Sequence, residues 1–401
     1  MFDIEVYKKA LEQEVNDNIL SFWLELQDHQ HGGFYCYADF DGNIDASHPK
    51  AVLLHSRILW AFSAAYRVLG RAEYAAAARH AFEFLTRQAM DSVKGGVYWM
   101  LDHKGQVTDS QKHIYNQGFA IYALAEFHRA TGDAQARELA IGLFNLIEQH
   151  AYDAEHKGYF EAYDQDWNSI ENALICDTAE GVVTEKSMNT HLHILEAYAN
   201  LLRIYPDAKL EARVKELIDL FRERIILPNQ HFGLFFTRDW QCVSRDISYG
   251  HDIEGTWLID DAVRLLSDKH YVREITTLTT QMAQVTLQEG LDSDGAIFNE
   301  LRDRHLLDTD RVWWVQAEGM VGFFNAYLKS LNPAFHKAAL DCWHIINQQL
   351  IDKNNGEWYW KTYRDGRPYL DRAKVEPWKC PYHNGRACLE LIERLSGFEE
   401  S

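Results

Sequence analysis

A histidine and a glutamate three residues apart, His251 and Glu254 in SYGHDIEGTWLID (248–260), set an imidazole beside a carboxylate. A helix turns once in about 3.6 residues, so His251, Glu254, Trp257 and Leu258 share one face. A carboxylate beside an imidazole raises its basicity and fixes its tautomer, which is how a general base is built. The same spacing also suits a helix N-terminus with a solvated histidine and a dipole-complementing glutamate. The preceding Ser248-Tyr249-Gly250 reads as a loop that ends at Gly250.

Comparable residues recur along the chain. His55 and Arg57, Tyr115 and Asn116, and Asn189 and His193 each stand near the start of an apolar, helix-periodic stretch. So do Trp314 with Gln316 and Glu318, and Trp378 with His383. Each has a packing alternative. A buried arginine such as Arg57 usually pairs with a carboxylate. His193 on an apolar helix is by default a satisfied core histidine, and Tyr115 and Trp314 more often pack than bind ligand. Asn189 and His193 are four apart and co-facial; His191, between them, points elsewhere and is expected to be exposed. In WKCPYHNGR (378–386), Pro381 and Gly385 make a turn before a final helix, and a histidine held in such a turn is poised for function.

The elements that must position these residues are repeated. A Gly-aromatic cluster reads HGGFYCYADFDG at 31–42, KGGVYWMLDHKG at 94–105 and KGYFEAYDQDW at 157–167. It returns as FGLFFTRDW at 232–240, DGAIFNELRD at 294–303 and NGEWYWKTYRDG at 355–366. The anchoring glycines, Gly33, Gly96, Gly158, Gly233, Gly295 and Gly356, are 63, 62, 75, 62 and 61 residues apart, a repeat architecture. Each cluster reads as a short hairpin. Between clusters, amphipathic periodicity predicts helix pairs at 51–68 and 72–90, 113–130 and 133–150, 187–204 and 208–226, 251–266 and 270–289, and 312–330 and 333–351. A last helix, 384–395, pairs with the N-terminal 3–26 and closes a ring. The expected fold is all-α: an (α/α)6 barrel of six helix pairs with short Gly-aromatic hairpins, one domain over 1–401. The chemical residues begin 22, 19, 31, 18, 19 and 22 residues after their glycines, so they ring one mouth and converge on one central cleft.

Composition narrows the partners. With 60 acidic and 40 basic residues the net charge is −20, which argues against nucleic acid and against an anionic membrane. Aromatics make up 13% of the chain, enough to supply stacking faces for sugar rings. The six cysteines, at 36, 176, 242, 342, 380 and 388, show no CxxC spacing, and no zinc pattern is present. The N-terminus is amphipathic and acidic rather than a signal peptide, and no apolar run reaches the roughly 18 residues of a transmembrane span. A cytoplasmic protein with reduced thiols is expected, a monomer or a weak homodimer.

Several chemistries lack their motifs. No GxGxxG, P-loop or GxSxG elbow occurs, and no HExxH. His191, His193, His251 and His383 could ligate a metal, but they sit on different helices with arginine nearby, so no metal is expected. Glycoside hydrolysis needs two carboxylates across a bond; Glu254 and Glu318 are available, but the site is richer in histidine than that chemistry requires. A non-catalytic sugar binder would keep Trp314 and Trp378 without needing His251, His383 and Arg57 together. Two imidazoles on facing helices suit proton transfer to and from carbon near neutral pH, and an arginine stabilises an enolate oxygen. That set points to a cofactor-free isomerase or epimerase acting beside a carbonyl, with a sugar aldehyde as substrate.

The stretches HSRILW (55–60), GGVYWM (95–100), KSMNTHLHILEAYANL (186–201), SYGHDIE (248–254), RVWWVQAE (311–318) and WKCPYHNGR (378–386) resemble the cellobiose-type branch of the N-acylglucosamine 2-epimerase superfamily. The resemblance runs through every repeat and implies an (α/α)6 barrel. It also implies reversible C2 epimerisation of the reducing-end glucose of β-1,4-linked disaccharides, through ring opening and a cis-enediolate. By the same resemblance His251 and His383 form the acid/base pair, and Glu254 orients His251. Arg57 and His193 hold the oxyanion, and Asn189, Tyr115 and Glu318 bind substrate. Trp314 and Trp378 stack on sugar rings. The nearest rival on this scaffold is a mannose 2-epimerase or mannose isomerase acting on monosaccharides; an (α/α)6 glycoside hydrolase is more distant.

Overall fold

A computed structural model describes residues 4–174 and 184–399; Cys176 lies outside them. Two short helices, α1 (Ile4–Gln13) and α2 (Ser21–Leu24), flank a π-helical stretch, Glu14–Leu20. Pairs follow: α3 (Val52–Leu69) with α4 (Ala72–Phe84), α5 (Ile114–Thr131) with α6 (Ala134–His150), and α7 (Met188–Leu202) with α8 (Ala208–Leu220). They continue with α9 (Tyr249–Val263) and α10 (Lys269–Glu289), α11 (Trp313–Ser330) and α12 (Pro333–Ile345), and end in α13 (His383–Glu399). Helices α3, α5, α7, α9, α11 and α13 pack in that cyclic order, with α13 returning to α3. Each carries one outer helix on its back, and α1 fills that place for α13. This is the (α/α)6 barrel expected from the repeat. No helix among the described residues is long and apolar enough to cross a membrane.

The inner helices are apolar all round because they have no solvent face. On α3 every residue from Val52 to Ala65 is buried, and on α5 every residue from Ile114 to Phe127. Left-handed glycines end both helices, Gly70 at φ 72° and Gly132 at φ 74°. Most outer helices open on an Asp or Asn cap, among them Asp133, Asp207, Asp268 and Asn332. One difference from expectation is local. The outer helices predicted to run through 90, 226 and 351 stop as α-helix at Phe84, Leu220 and Ile345. Each finishes in a π-helical turn, Leu85–Ala89, Phe221–Ile225 and Ile346–Leu350, that leads into its hairpin.

The hairpins are tied to the inner helices by one recurring device. A buried Asp in the turn accepts from a buried cation that precedes the next inner helix. The pairs are Asp28 with Lys50 at 2.6 Å, Asp91 with Lys112 at 2.9 Å, Asp153 with Lys186 at 2.8 Å and Asp292 with Arg311 at 2.6 Å. One helical turn in, a side chain accepts from a backbone N–H within two residues of the anchoring glycine. His55 does this for Phe34 at 2.9 Å, Gln117 for Val97 at 2.7 Å, His191 for Tyr159 at 2.9 Å, Asp252 for Phe232 at 2.9 Å and Gln316 for Ile297 at 3.0 Å. His191 is therefore fully buried, not exposed, because its ring bridges a hairpin N–H and the Ser187 carbonyl. Gly33 shows how close the approach is: a Cβ there would stand 2.5 Å from His55 Nε2.

These hinge histidines are buried neutral. Burial, the largest cause, pushes His55 and His191 down to about 3 and His113, which caps α5, down to about 4. The unfolded chain protonates them near their ordinary value of about 6.5. Stability is thus fully present above that value and is lost as the pH falls toward the folded values. Each of the three removes up to about 1.4 kcal/mol per pH unit in that window. Urea unfolding between pH 7.5 and 5 should show this loss. His55→Gln, copying what Gln117 and Gln316 already do, should make the slope shallower. Unfolding free energy that stays level to pH 5 would contradict it.

Candidate active site

Six inner helices bring their starts to one end of the barrel, and the ten residues expected at the site lie on all six of them and on the turn before the sixth. Arg57 on α3 donates to the Tyr115 hydroxyl on α5 at 2.8 Å and to the Trp378 carbonyl at 3.3 Å. Its guanidinium lies over Phe119 at 4.3 Å and over Tyr382 at 4.9 Å. No carboxylate among the described residues pairs with it, although it is only 2% exposed, and its Nε has no acceptor. A buried cation held by phenol, carbonyl and ring faces keeps its charge for an incoming anionic oxygen.

Three imidazoles face this arginine's neighbourhood, each held at Nδ1. His193 on α7 pairs with Glu196 Oε2 at 2.9 Å and packs edge-on against Tyr115 at 5.2 Å. His383, the first residue of α13, pairs with Glu318 Oε1 at 2.7 Å. His251 on α9 lies 2.7 Å from the Ser248 hydroxyl. A carboxylate partner places the proton on Nδ1, so His193 and His383 present the Nε2 lone pair. Nε2 of all three has no protein partner among the described residues. Burial is the main cause pushing them down: His251 to about 3, His193 below its ordinary value, and His383 well below its ordinary range with Arg386 and Arg57 adding to the effect. All three are neutral bases at physiological pH.

The ring of Trp314 lies between the two proposed acid/base residues, 4.7 Å from His251 and 5.5 Å from His383. Gly250 makes room for it. That residue is not the end of a loop but the second residue of α9, and a Cβ on it would meet the Trp314 ring at 2.6 Å. Trp378 closes another side, 6.0 Å from Tyr115 and 6.3 Å from Trp99. Asn189 sits one turn before His193, and its Oδ1 is buried and unbonded.

Two expected roles are corrected by the geometry. Glu254 does not orient His251: its Oε1 accepts from Arg386 at 2.6 Å, and the partner of His251 is Ser248. Glu318 is not at the substrate surface. It is 1% exposed and accepts from Trp257 at 2.9 Å and Arg386 at 2.6 Å while holding His383. Spacing put Glu254 on the right face, but a fully buried cation draws its carboxylate inward.

That cation, Arg386, was missed in the sequence, with Glu196, Tyr382 and Ser248. Fully buried on α13, Arg386 donates to Glu254 and Glu318, and also to Glu196 and the Tyr382 hydroxyl. Glu196 is held down at about 2, burial opposing and Arg386 prevailing. Burial and then the Glu318 charge push Glu254 well up, and burial pushes Glu318 up. Three carboxylates share one guanidinium, and Glu254 Oε2 is left buried without a partner. Glu254, Glu318 and His383 also bring ligand atoms within 4.8 Å of one another, the spacing of a metal site. The Arg386 guanidinium, 2.6 Å from both carboxylates, already fills the cation's place. Glu196 is legible in the sequence: it follows His193 by three, the same spacing as His251 and Glu254.

An aromatic cleft with neutral imidazoles backed at Nδ1 and one uncompensated arginine defines an enzyme that moves protons beside a carbonyl on an (α/α)6 barrel. The N-acylglucosamine 2-epimerase (GlcNAc 2-epimerase) family model matches residues 32–387, and the chain belongs to that family. Among its relatives, the cellobiose 2-epimerase of Bacteroides fragilis is 43% identical over 97% of this chain and 99% of its own length. That of Dictyoglomus turgidum is 40% identical over 98% of this chain and 100% of its own. The solved cellobiose 2-epimerase of Bacillus thermoamylovorans B4167 superposes with a TM-score of 0.93 at 39% identity, covering 97% of this chain and 100% of that one.

Removing the shared cation leaves buried carboxylates uncompensated, which costs about 3–5 kcal/mol. Arg386→Met should lower the unfolding free energy in urea by that amount. A loss below about 1 kcal/mol would show that the cluster does not depend on it.

Proposed function

We propose that the chain catalyses reversible, cofactor-independent epimerisation at C2 of the reducing-end glucose of β-1,4-linked disaccharides, taking cellobiose to 4-O-β-glucosyl-mannose and lactose to epilactose. The observation that carries this reading is the pair of neutral imidazoles, His251 and His383, on either side of Trp314, with Nε2 unbonded.

After ring opening, an imidazole Nε2 takes the C2 proton. The C–H electron pair becomes the C1–C2 double bond, and the negative charge moves to O1. Arg57 and His193 hold that oxygen as its charge develops, an electrostatic contribution that exists only along the reaction path. Rotation about C2–C3 turns the opposite face of the cis-enediolate to a proton donor, and protonation there gives the mannose configuration. His383, backed by Glu318, serves ring opening and His251 serves C2, or the two divide these steps the other way. Tyr115 and Asn189 bind hydroxyls. Trp314 and Trp378 stack on the sugar rings, Trp378 at the non-reducing unit.

Glycoside hydrolysis fits the geometry poorly. Its carboxylates must reach the glycosidic bond, but Glu196, Glu254 and Glu318 are 5%, 0% and 1% exposed and bound to Arg386. The five described cysteines are unbridged, in keeping with a cytoplasmic enzyme.

Incubation with cellobiose, lactose, glucose and mannose, without added metal or nucleotide, tests the reading. Chromatography should show glucosyl-mannose and epilactose with the monosaccharides little changed. Turnover of mannose or glucose alone would transfer the activity to a monosaccharide epimerase or isomerase, and free glucose from cellobiose would mean hydrolysis.

A further inference from the structure

The three cleft imidazoles do not have equivalent partners. His193 and His383 are held by carboxylates, Glu196 and Glu318, whereas His251 is held by a neutral hydroxyl, Ser248. Ser248 is the N-cap residue of α9, where a serine hydroxyl ordinarily accepts from a backbone N–H of the first turn. Its repeat equivalent does so: Ser187, the N-cap of α7, accepts from the Thr190 N–H at 3.1 Å. Ser248 makes no cap bond and turns its Oγ to His251 Nδ1. The hydroxyl has left one helix-stabilising role for the ring beside Trp314, and it is 7% exposed, so solvent is not what holds it there.

The chemical difference is large. A carboxylate only accepts, so it fixes the imidazole proton on Nδ1 and stabilises the protonated ring. A hydroxyl both donates and accepts, and it carries no charge to stabilise an imidazolium. The titratable groups acting on His251 are His193 from α7, which disfavours its protonation, and Glu318 from α11, which favours it without bonding to it. We propose that Ser248 is a positioning residue for His251: its hydroxyl orients the ring with Nε2 free and, being uncharged, leaves His251 a weaker base and stronger acid than a carboxylate partner would. An imidazolium formed at His251 then returns its proton to the enediolate rather than keeping it. This rests on the epimerase reading and assigns His251 its orienting residue within it.

Three variants and two readouts test the inference. Ser248→Ala should lower kcat on cellobiose by about tenfold or more with KM and thermal midpoint unchanged, because an orientation is lost and a cap is not. Ser248→Thr, which keeps the hydroxyl, should restore kcat. Ser248→Asp should move the acid limb of kcat to higher pH. The second readout needs no sugar: in protein labelled with 15N-histidine, the His251 ring signals, identified by their loss in His251→Asn, should titrate at higher pH in Ser248→Asp than in the unaltered chain. Wild-type kcat in Ser248→Ala together with an unmoved His251 titration in Ser248→Asp would overturn the proposal. If the unaltered chain converts no disaccharide, the epimerase reading falls, while the ring titration still decides what Ser248 does.

Discussion

One buried guanidinium holds the catalytic end of this barrel together. Arg386 on α13 reaches Glu196 on α7, Glu254 on α9 and Glu318 on α11, so four of six inner helices meet at a single charge. Two of those carboxylates in turn hold His193 and His383. The cluster lets two imidazoles be aimed by carboxylates in a dry interior that would otherwise force those groups to neutralise. Arg57 is its counterpart. It is equally buried and is left without a carboxylate, so one arginine organises the site and the other remains for the substrate.

The repeat divides labour along five of the six inner helices. The fourth residue is spent on the hairpin, as His55, Gln117, His191, Asp252 and Gln316 show. Neighbouring positions on the same first turns, Tyr115, Asn189, His251 and Trp314, face the cleft. The far ends of these helices serve a different purpose. There Arg67, Glu126, Arg129, Arg203 and Asp261 pair around a cavity of about 300 Å³ that also touches Glu196. The barrel is thus stitched by ion pairs at its floor and left with unspent hydrogen-bonding capacity at its mouth.

The sequence made the ring legible because its glycine period and two-helix spacing are local and repeated six times. It also made the cleft membership legible, since equivalent helix starts must converge. Partner choice was not legible. His251 and Glu254 have the spacing of a pair, yet the pull of Arg386, over a hundred residues away, redirects the glutamate. His191 looked like a surface residue because its acceptor role is owed to a hairpin N–H thirty-two residues earlier. Gly250 looked like a loop terminus because the ring that needs its missing Cβ belongs to α11. Each of these depends on a long-range contact that periodicity does not encode.

The central claim is that an imidazole of this cleft breaks and remakes the C2–H bond. It is tested most directly by bringing cellobiose to epimerisation equilibrium in D2O and locating deuterium by NMR. The account predicts that deuterium accumulates at C2 of the reducing-end unit in both epimers and at no other carbon of that unit or its partner. Epimer formed over many turnovers with C2 still carrying only hydrogen would contradict it.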